Sequence, residues 1–417
     1  MRFWKPAEPA SARPRACRRI VFVWVAIVVG SAFPGSATPP YTPASDDEVL
    51  ERIPRGVRSA EVRRRREDLA NDPENLKDSV SLARSYLETA RVEGDARFLG
   101  YAQSILGPWW NQASPPAEVR LARAEVFVSR FEFQRAADEL EAVLAAEPGH
   151  LEASVALVDV LLARGEVTRA REHLEGIRTR LDPQAGLVME ARIERLSPRL
   201  DVSVRDLADS LATNGVAGGG AMPAAERRRA LALLADASWQ RGAVDAAAIH
   251  FEELRRLGGR DVRRLLAEAD FELARGRHEA VVESLEGESA HDGLALRLLE
   301  AWKRRGETDA GGRERYEELR RQVEKRLEDR RGRGDMSVLP DEVRYWVRIR
   351  ADAARAVERA EELWSIRRTL DDARIVLEAA RLGENPALRD KVAAWSTRLG
   401  VNDARLGPSS GGERTSP

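Results

Sequence analysis

The chain has 417 residues, room for two or three compact domains or one long solenoid. Charged residues make up 33% of it, yet the formal net charge is −1, which argues against a general nucleic-acid-binding surface. The single cysteine, Cys17, lies in the leading segment, so the rest of the chain has neither a disulfide nor a thiolate metal site.

Arg13, Arg15, Arg18 and Arg19 precede the apolar run Ile20–Val29, and Gly30, Ser31, Ala32, Gly35, Ser36 and Ala37 follow it. A basic start, a short apolar core and a small-residue exit describe a secretory signal over residues 1–37. Cleavage is expected after Ala37, with Ala32 as the second choice. A permanent span needs about twenty apolar residues, which disfavours the competing reading, an uncleaved anchor through residues 20–33. Export, to a bacterial periplasm, is the expectation. The leader carries six basic side chains against Glu8, so the remainder is more acidic than the whole. Residues 38–57, with Pro39, Pro40, Pro43 and Pro54, read as a linker.

Helical patterning covers residues 58–400, and an all-α fold is expected. An opening helix closes at Asp72-Pro73. Leu76–Ala90 and Asp95–Leu106 form a hairpin across the turn Arg91–Gly94, and Pro108-Trp109-Trp110 interrupts. Two copies of one pattern then occupy Ala117 to Pro183. Ala124, Phe127, Ala136, Leu140 and Pro148 mark the first; Val158, Leu161, Gly165, Ala170, Leu174 and Pro183 mark the second, about thirty-four residues on. Gln184–Arg195 and Val202–Ala212 form one further hairpin, and the glycine-rich loop Thr213–Met222 is where a break in the array is expected. The pattern resumes with Leu231, Leu234, Ala235, Gly242, Ala247, Phe251 and Leu254, and again with Leu265, Ala269, Gly276 and Leu285. Leu298, Leu299, Trp302 and Gly306 open another unit. Its second helix, Arg313–Arg331, is highly charged and is expected to project from the array or to make a dimer contact. Arg355–Arg367 and Leu370–Leu382 form the last pair, Pro386–Leu399 a cap, and residues 401–417 a disordered tail.

The small residues have a packing reason. Ala136, Ala170, Ala247 and Ala373 let the next helix approach, while Phe127, Leu161, Phe251 and Leu254 fill the space between helices. Glycine at 165, 242 and 276 suits the tight turn between paired helices.

In these residues the chain resembles the tetratricopeptide repeat family, and Phe98-Leu99-Gly100-Tyr101-Ala102 with Pro108-Trp109-Trp110 is similar to a group of exported bacterial members. The resemblance implies a right-handed superhelix, an α-solenoid of stacked antiparallel helix pairs, with a concave groove lined by the first helix of each unit. It also implies peptide or protein binding and no cofactor. Some members take a C-terminal carboxylate through basic and amide side chains in that groove.

This chain departs from that pattern. The position following the small residue of each first helix is acidic: Glu125, Asp159, Asp236, Asp270 and Glu300, with Glu362 added by a looser alignment and Arg84 breaking the series. Such a column repels a carboxylate and attracts lysine or arginine, so a basic segment of another exported protein is the expected ligand. The competing reading makes each carboxylate a solvated helix residue, or one paired with an arginine such as Arg123, Arg229 or Arg263.

Other features point to no chemistry. His150, His173, His250, His278 and His291 are scattered without a two-histidine metal spacing or a nucleophile elbow. Gly218-Gly219-Gly220 lacks the lysine–hydroxyl pair of a phosphate loop. Arg63–Arg66 reads as a solvated face beside Glu61 and Glu67, and at least one of Trp109 and Trp110 as packing. The function expected is therefore a non-catalytic, exported, protein-binding adaptor without metal, cofactor or nucleic acid. A self-assembling scaffold built on the charged helix is the first alternative, and an α/α-fold enzyme the second.

Overall fold

The computed structural model describes residues 60–213, 223–259, 261–306 and 310–406. The expected leader, the linker, the glycine-rich stretch 214–222 and residues 407–417 lie outside these.

Every regular element among the described residues is helical. α1 (Ala60–Asn71) ends at Asp72-Pro73. α2 (Leu76–Glu93) and α3 (Arg97–Ile105) form the first hairpin, followed by the single turn α4 (Gly107–Trp110). α5 (Ala117–Ser129) packs on α6 (Phe133–Ala146), and α7 (Leu151–Ala163) on α8 (Val167–Ile177). α9 (Pro183–Glu194) packs on α10 (Leu200–Ala212), and α11 (Ala224–Gln240) on α12 (Val244–Arg256). α13 (Val262–Ala274) and α14 (His278–Leu285) precede α15 (Asp292–Arg305), which packs on α16 (Ala310–Gly332). α17 (Leu339–Arg344) runs into six π-helical residues, Tyr345–Arg350; α18 (Ala353–Ile366), α19 (Leu370–Leu382) and α20 (Pro386–Leu399) complete the chain. The fold is all-helical, with successive helices packed in adjacent pairs.

The packing logic follows the small residues. Ala136, Ala170, Ala247 and Ala373 are fully buried, and Phe127, Leu161, Phe251 and Leu254 seal the layers beside them. Side-chain oxygens of Asn75, Asp182, Asp261 and Thr369 accept the first free amides of their helices, which sets where α2, α9, α13 and α19 begin. Gly165, Gly242 and Gly276 all take the left-handed backbone in their turns. In the first repeat the corresponding place is Phe131, at φ 63°. Its ring stacks on Phe133 with centroids 5.4 Å apart, and the Arg367 guanidinium lies 4.3 Å from it. These two contacts hold a backbone that a bulky residue avoids.

Four features differ from expectation. α2 continues through the expected turn to Glu93, and only Gly94 bends the chain, at φ 68°. α16 does not project: Leu319, Val323 and Leu327, spaced by four, are buried, and Arg326 and Arg330 reach Asp292 at 2.6 and 3.1 Å. The surface that a scaffold reading needs is thus largely used within the chain. Residues 401–406 are not a loose tail, because Val401 and Asp403 are buried and Ala404 N donates to the Gln240 carbonyl at 2.8 Å. Finally, Met336–Arg350 forms a 3-10 turn, a short helix and a π-helix that no repeat pattern announced.

Units far apart in sequence touch. Arg91 Nη1 lies 3.4 Å from Asp261, and Arg368 N donates to the Ala163 carbonyl at 2.9 Å. No helix among the described residues is long and apolar enough to cross a membrane.

Candidate functional site

The acidic positions sit on the first helices of successive units because each follows a buried residue of the helix core: Ala124, Val158, Ala235, Ala269 and Leu299. One residue further round the helix points each carboxylate to a different side from that residue. The charges then meet different surroundings along the row.

At the far end the row is neutralised by this chain. Arg195 lies 2.5 Å and Arg405 3.3 Å from Asp236. Burial pushes the Asp236 carboxyl up, but Arg195, Arg374 and Arg405 outweigh it and hold the group at about 2. Asp270 receives Arg297 at 2.5 Å and Arg344 at 2.7 Å, which likewise overcome its burial and hold it far below the ordinary carboxylate range. Glu300 is buried against Arg344 and takes Arg348 at 3.0 Å, and Arg348 also binds Glu378 at 2.7 Å. Glu362 is bound by Arg331 and, at 3.0 Å, by Arg359.

The near end is open. Asp159 is partly exposed, and so is its partner Arg192, 2.6 Å away. Glu125 is exposed and makes no ion pair among the described residues. Its carboxyl is nevertheless pushed up, first by desolvation and then by Glu88, against the pull of Arg91 and Arg84. Glu125 is thus reached by solvent while neighbouring protein still opposes its charge. Arg263 behaves the same way: it is exposed, while desolvation, Arg91 and Arg192 draw its guanidinium down. Arg84 closes the edge by pairing with Glu152 at 3.0 Å.

Sequence reasoning found the carboxylates but not their partners. Arg123, one of the expected neighbours, turns instead to Glu139 at 2.5 Å. Arg344 and Arg348 were missed, although a spacing of four places both on one helical face. Trp239, whose ring lies 3.8 Å below the Arg405 guanidinium, was also missed. Trp110 packs on Phe127 at 5.9 Å and both Trp109 and Trp110 are half-buried, which favours the packing role. Of the four clustered arginines, Arg66 hydrogen-bonds the Tyr86 hydroxyl at 2.5 Å, a partner other than the expected acids. His150 and His291 accept backbone amides at the starts of α7 and α15, a capping role. No cluster of three potential metal ligands occurs among the described residues.

Residues 128–185, the end of α5 through the start of α9, match the family model "Tetratricopeptide repeat". That stretch is similar to tetratricopeptide repeats. No curated protein matches the sequence. Among solved structures, the crystal structure of the APC/C hetero-tetramer Cut9-Hcn1 contains a similar chain, 13% identical, with a TM-score of 0.41. The match covers 81% of the present chain and 64% of that one, so this chain spans less than two thirds of its length.

Proposed function

We propose that this repeat protein is a non-catalytic, exported adaptor that holds a lysine- or arginine-bearing segment of another protein against Glu125 and Asp159. The observation that carries the reading is the contrast along the acidic row. Asp236, Asp270 and Glu300 are each matched by arginines of this chain, whereas the exposed Glu125 lacks an ion-paired cation and is crowded by Glu88. A cation placed there gains electrostatic attraction to a carboxylate that has no ion-pair partner among the described residues. Asp159 supports the same ligand by exchanging its exposed partner Arg192 for it.

The decisive experiment is a crosslinking pull-down from the exported fraction, comparing the wild-type chain with the double variant Glu125→Lys, Asp159→Lys. Loss of the crosslinked species, with an unchanged melting curve, is expected. Capture that survives the double reversal would end the proposal. Export itself rests on the pattern from Arg13 to Ala37 and is tested by the mass of the mature N-terminus: an intact Met1 on a cytoplasmic product rejects it.

A further inference from the structure

The acidic row is entered at Asp236 by the chain's own end. α20 stops at Gly400, whose φ of 70° turns the chain against Pro198. The following residues dock along the end of α11. Ala404 N donates to the Gln240 carbonyl at 2.8 Å, and Gln240 Nε2 donates to the Asn402 carbonyl at 3.1 Å. Arg405 donates to Asp236 at 3.3 Å while its guanidinium covers the Trp239 ring at 3.8 Å. The Ala404 methyl group packs against Gly242, where a Cβ would meet it at 3.4 Å.

These contacts read one arginine by charge and by its flat cationic face, the small residue before it by a glycine surface, and the main chain by hydrogen bonds. We propose that Asp236, Trp239 and Gln240 form a recognition site for a partner segment bearing a small residue followed by arginine, and that residues 401–406 fill this site in cis. The inference rests on the protein-binding reading above but uses a different stretch of the acidic row, so either can fail alone.

The site is built to survive departure of the strap. Asp236 retains Arg195 at 2.5 Å. The Gln240 amide retains Arg195 as both donor, at 3.1 Å, and acceptor, at 2.8 Å. Arg374, which binds Asp403 in the strap, retains Asp371 at 2.5 Å. Arg405 is thus the surplus cation: burial and the neighbouring Arg374 both draw its guanidinium below its ordinary range. Releasing it bares no carboxylate, so the site stays paired while an incoming arginine takes the same place. Against that, a tethered strap competes at an effective concentration of order millimolar, and the free site is exposed only when the strap is weakened.

The test uses the full chain and a fluorescein-labelled peptide of residues 400–406, followed by anisotropy. Arg405→Ala weakens the cis occupant; Ala404→Pro does so independently by removing the amide that Gln240 accepts, without changing any charge. Either variant that melts like the wild type is expected to bind the peptide at least tenfold tighter than the wild type does. The same peptide with alanine in place of its arginine is expected to lose that gain. Equal affinity of variants and wild type, or indifference to the peptide's arginine, would each overturn the inference.

Discussion

Arg344 places its Nη2 2.7 Å from the Asp270 Oδ1, joining the helix α17 to α13 across more than seventy residues. The two partners are not equally dependent on each other. Asp270 also has Arg297 at 2.5 Å, and its carboxyl is held far below its ordinary range in spite of burial. Arg344 is buried among Arg297 and Arg348, and its guanidinium is drawn down. At Asp270 itself two arginines, Arg297 and Arg344, share one carboxylate, so the carboxylate is the scarcer member. Asp270→Asn strands Arg297 and Arg344 and is expected to destabilise the chain by about 3–5 kcal/mol, the range for an uncompensated buried charge. Arg344→Met leaves Asp270 with Arg297 and Glu300 with Arg348, and should cost about 1–3 kcal/mol. Urea unfolding at neutral pH ranks the two; an arginine variant weaker than the aspartate variant contradicts this account.

Two turn glycines with the same backbone differ in what surrounds them. Gly94 and Gly276 have φ values of 68° and 73°. A Cβ on Gly276 meets nothing within 4 Å, while one on Gly94 meets the His291 ring at 2.3 Å. Gly276→Ala therefore carries only the left-handed backbone penalty, about 1 kcal/mol. Gly94→Ala adds displacement of His291 from the start of α15 and should cost about 2–4 kcal/mol. Thermal melts of the two single variants separate these cases, and equal shifts would show that the Gly94–His291 contact is slack.

His291 also couples stability to pH. Its Nδ1 accepts the Leu294 amide, at 3.4 Å, so the ring must be neutral at that nitrogen. Burial draws its pKa below the ordinary 6.5, opposed by Asp341 and Asp292 and assisted by Arg297 and Arg330. A histidine with a depressed folded pKa binds fewer protons when folded than when unfolded. Its contribution is therefore intact above about pH 6.5 and is lost as pH falls from there through the folded value. His173 and His250 are shifted the same way by burial. Melting temperature is expected to fall between pH 7 and pH 5, and His291→Asn, which keeps a capping acceptor without the titration, should flatten that fall. An unchanged slope would mean that the ring does not report on α15.

The repeat was legible because its signals are local. Ala136 and Ala170 lie thirty-four residues apart, and Gly165, Gly242 and Gly276 announce the turns from their own backbone requirement. The carboxylates were legible for the same reason, each being tied to a buried neighbour one residue earlier. Their partners were not. Lysine and arginine number 68, and nothing local distinguishes Arg405, which reaches Asp236 across 169 residues, from a solvated arginine. Phe131 shows the converse limit: stacking with Phe133 and Arg367 holds it where the other repeats place glycine, and Arg367 comes from a distant helix. The apolar stripe Leu319, Val323 and Leu327 on α16 was readable, but the dense charge around it hid a spacing of four.

The two ends of the acidic row should separate function from stability. Asp236 and Asp270 hold arginines in place, so neutralising either weakens the fold. Glu125 holds none, and both desolvation and Glu88 oppose its charge. Glu125→Gln removes that unfavourable charge and keeps nearly the same volume, so stability should stay within about 0.5 kcal/mol of the wild type or rise slightly. Capture of a basic partner should fall in the same variant, since the surface has lost the carboxylate that attracts it. A residue kept for packing or helix geometry predicts the opposite pairing, lower stability with capture unchanged. Unfolding curves and pull-down yields measured on the same preparation distinguish the two, and a Glu125→Gln chain that melts early while still capturing its partner would return this residue to a structural role.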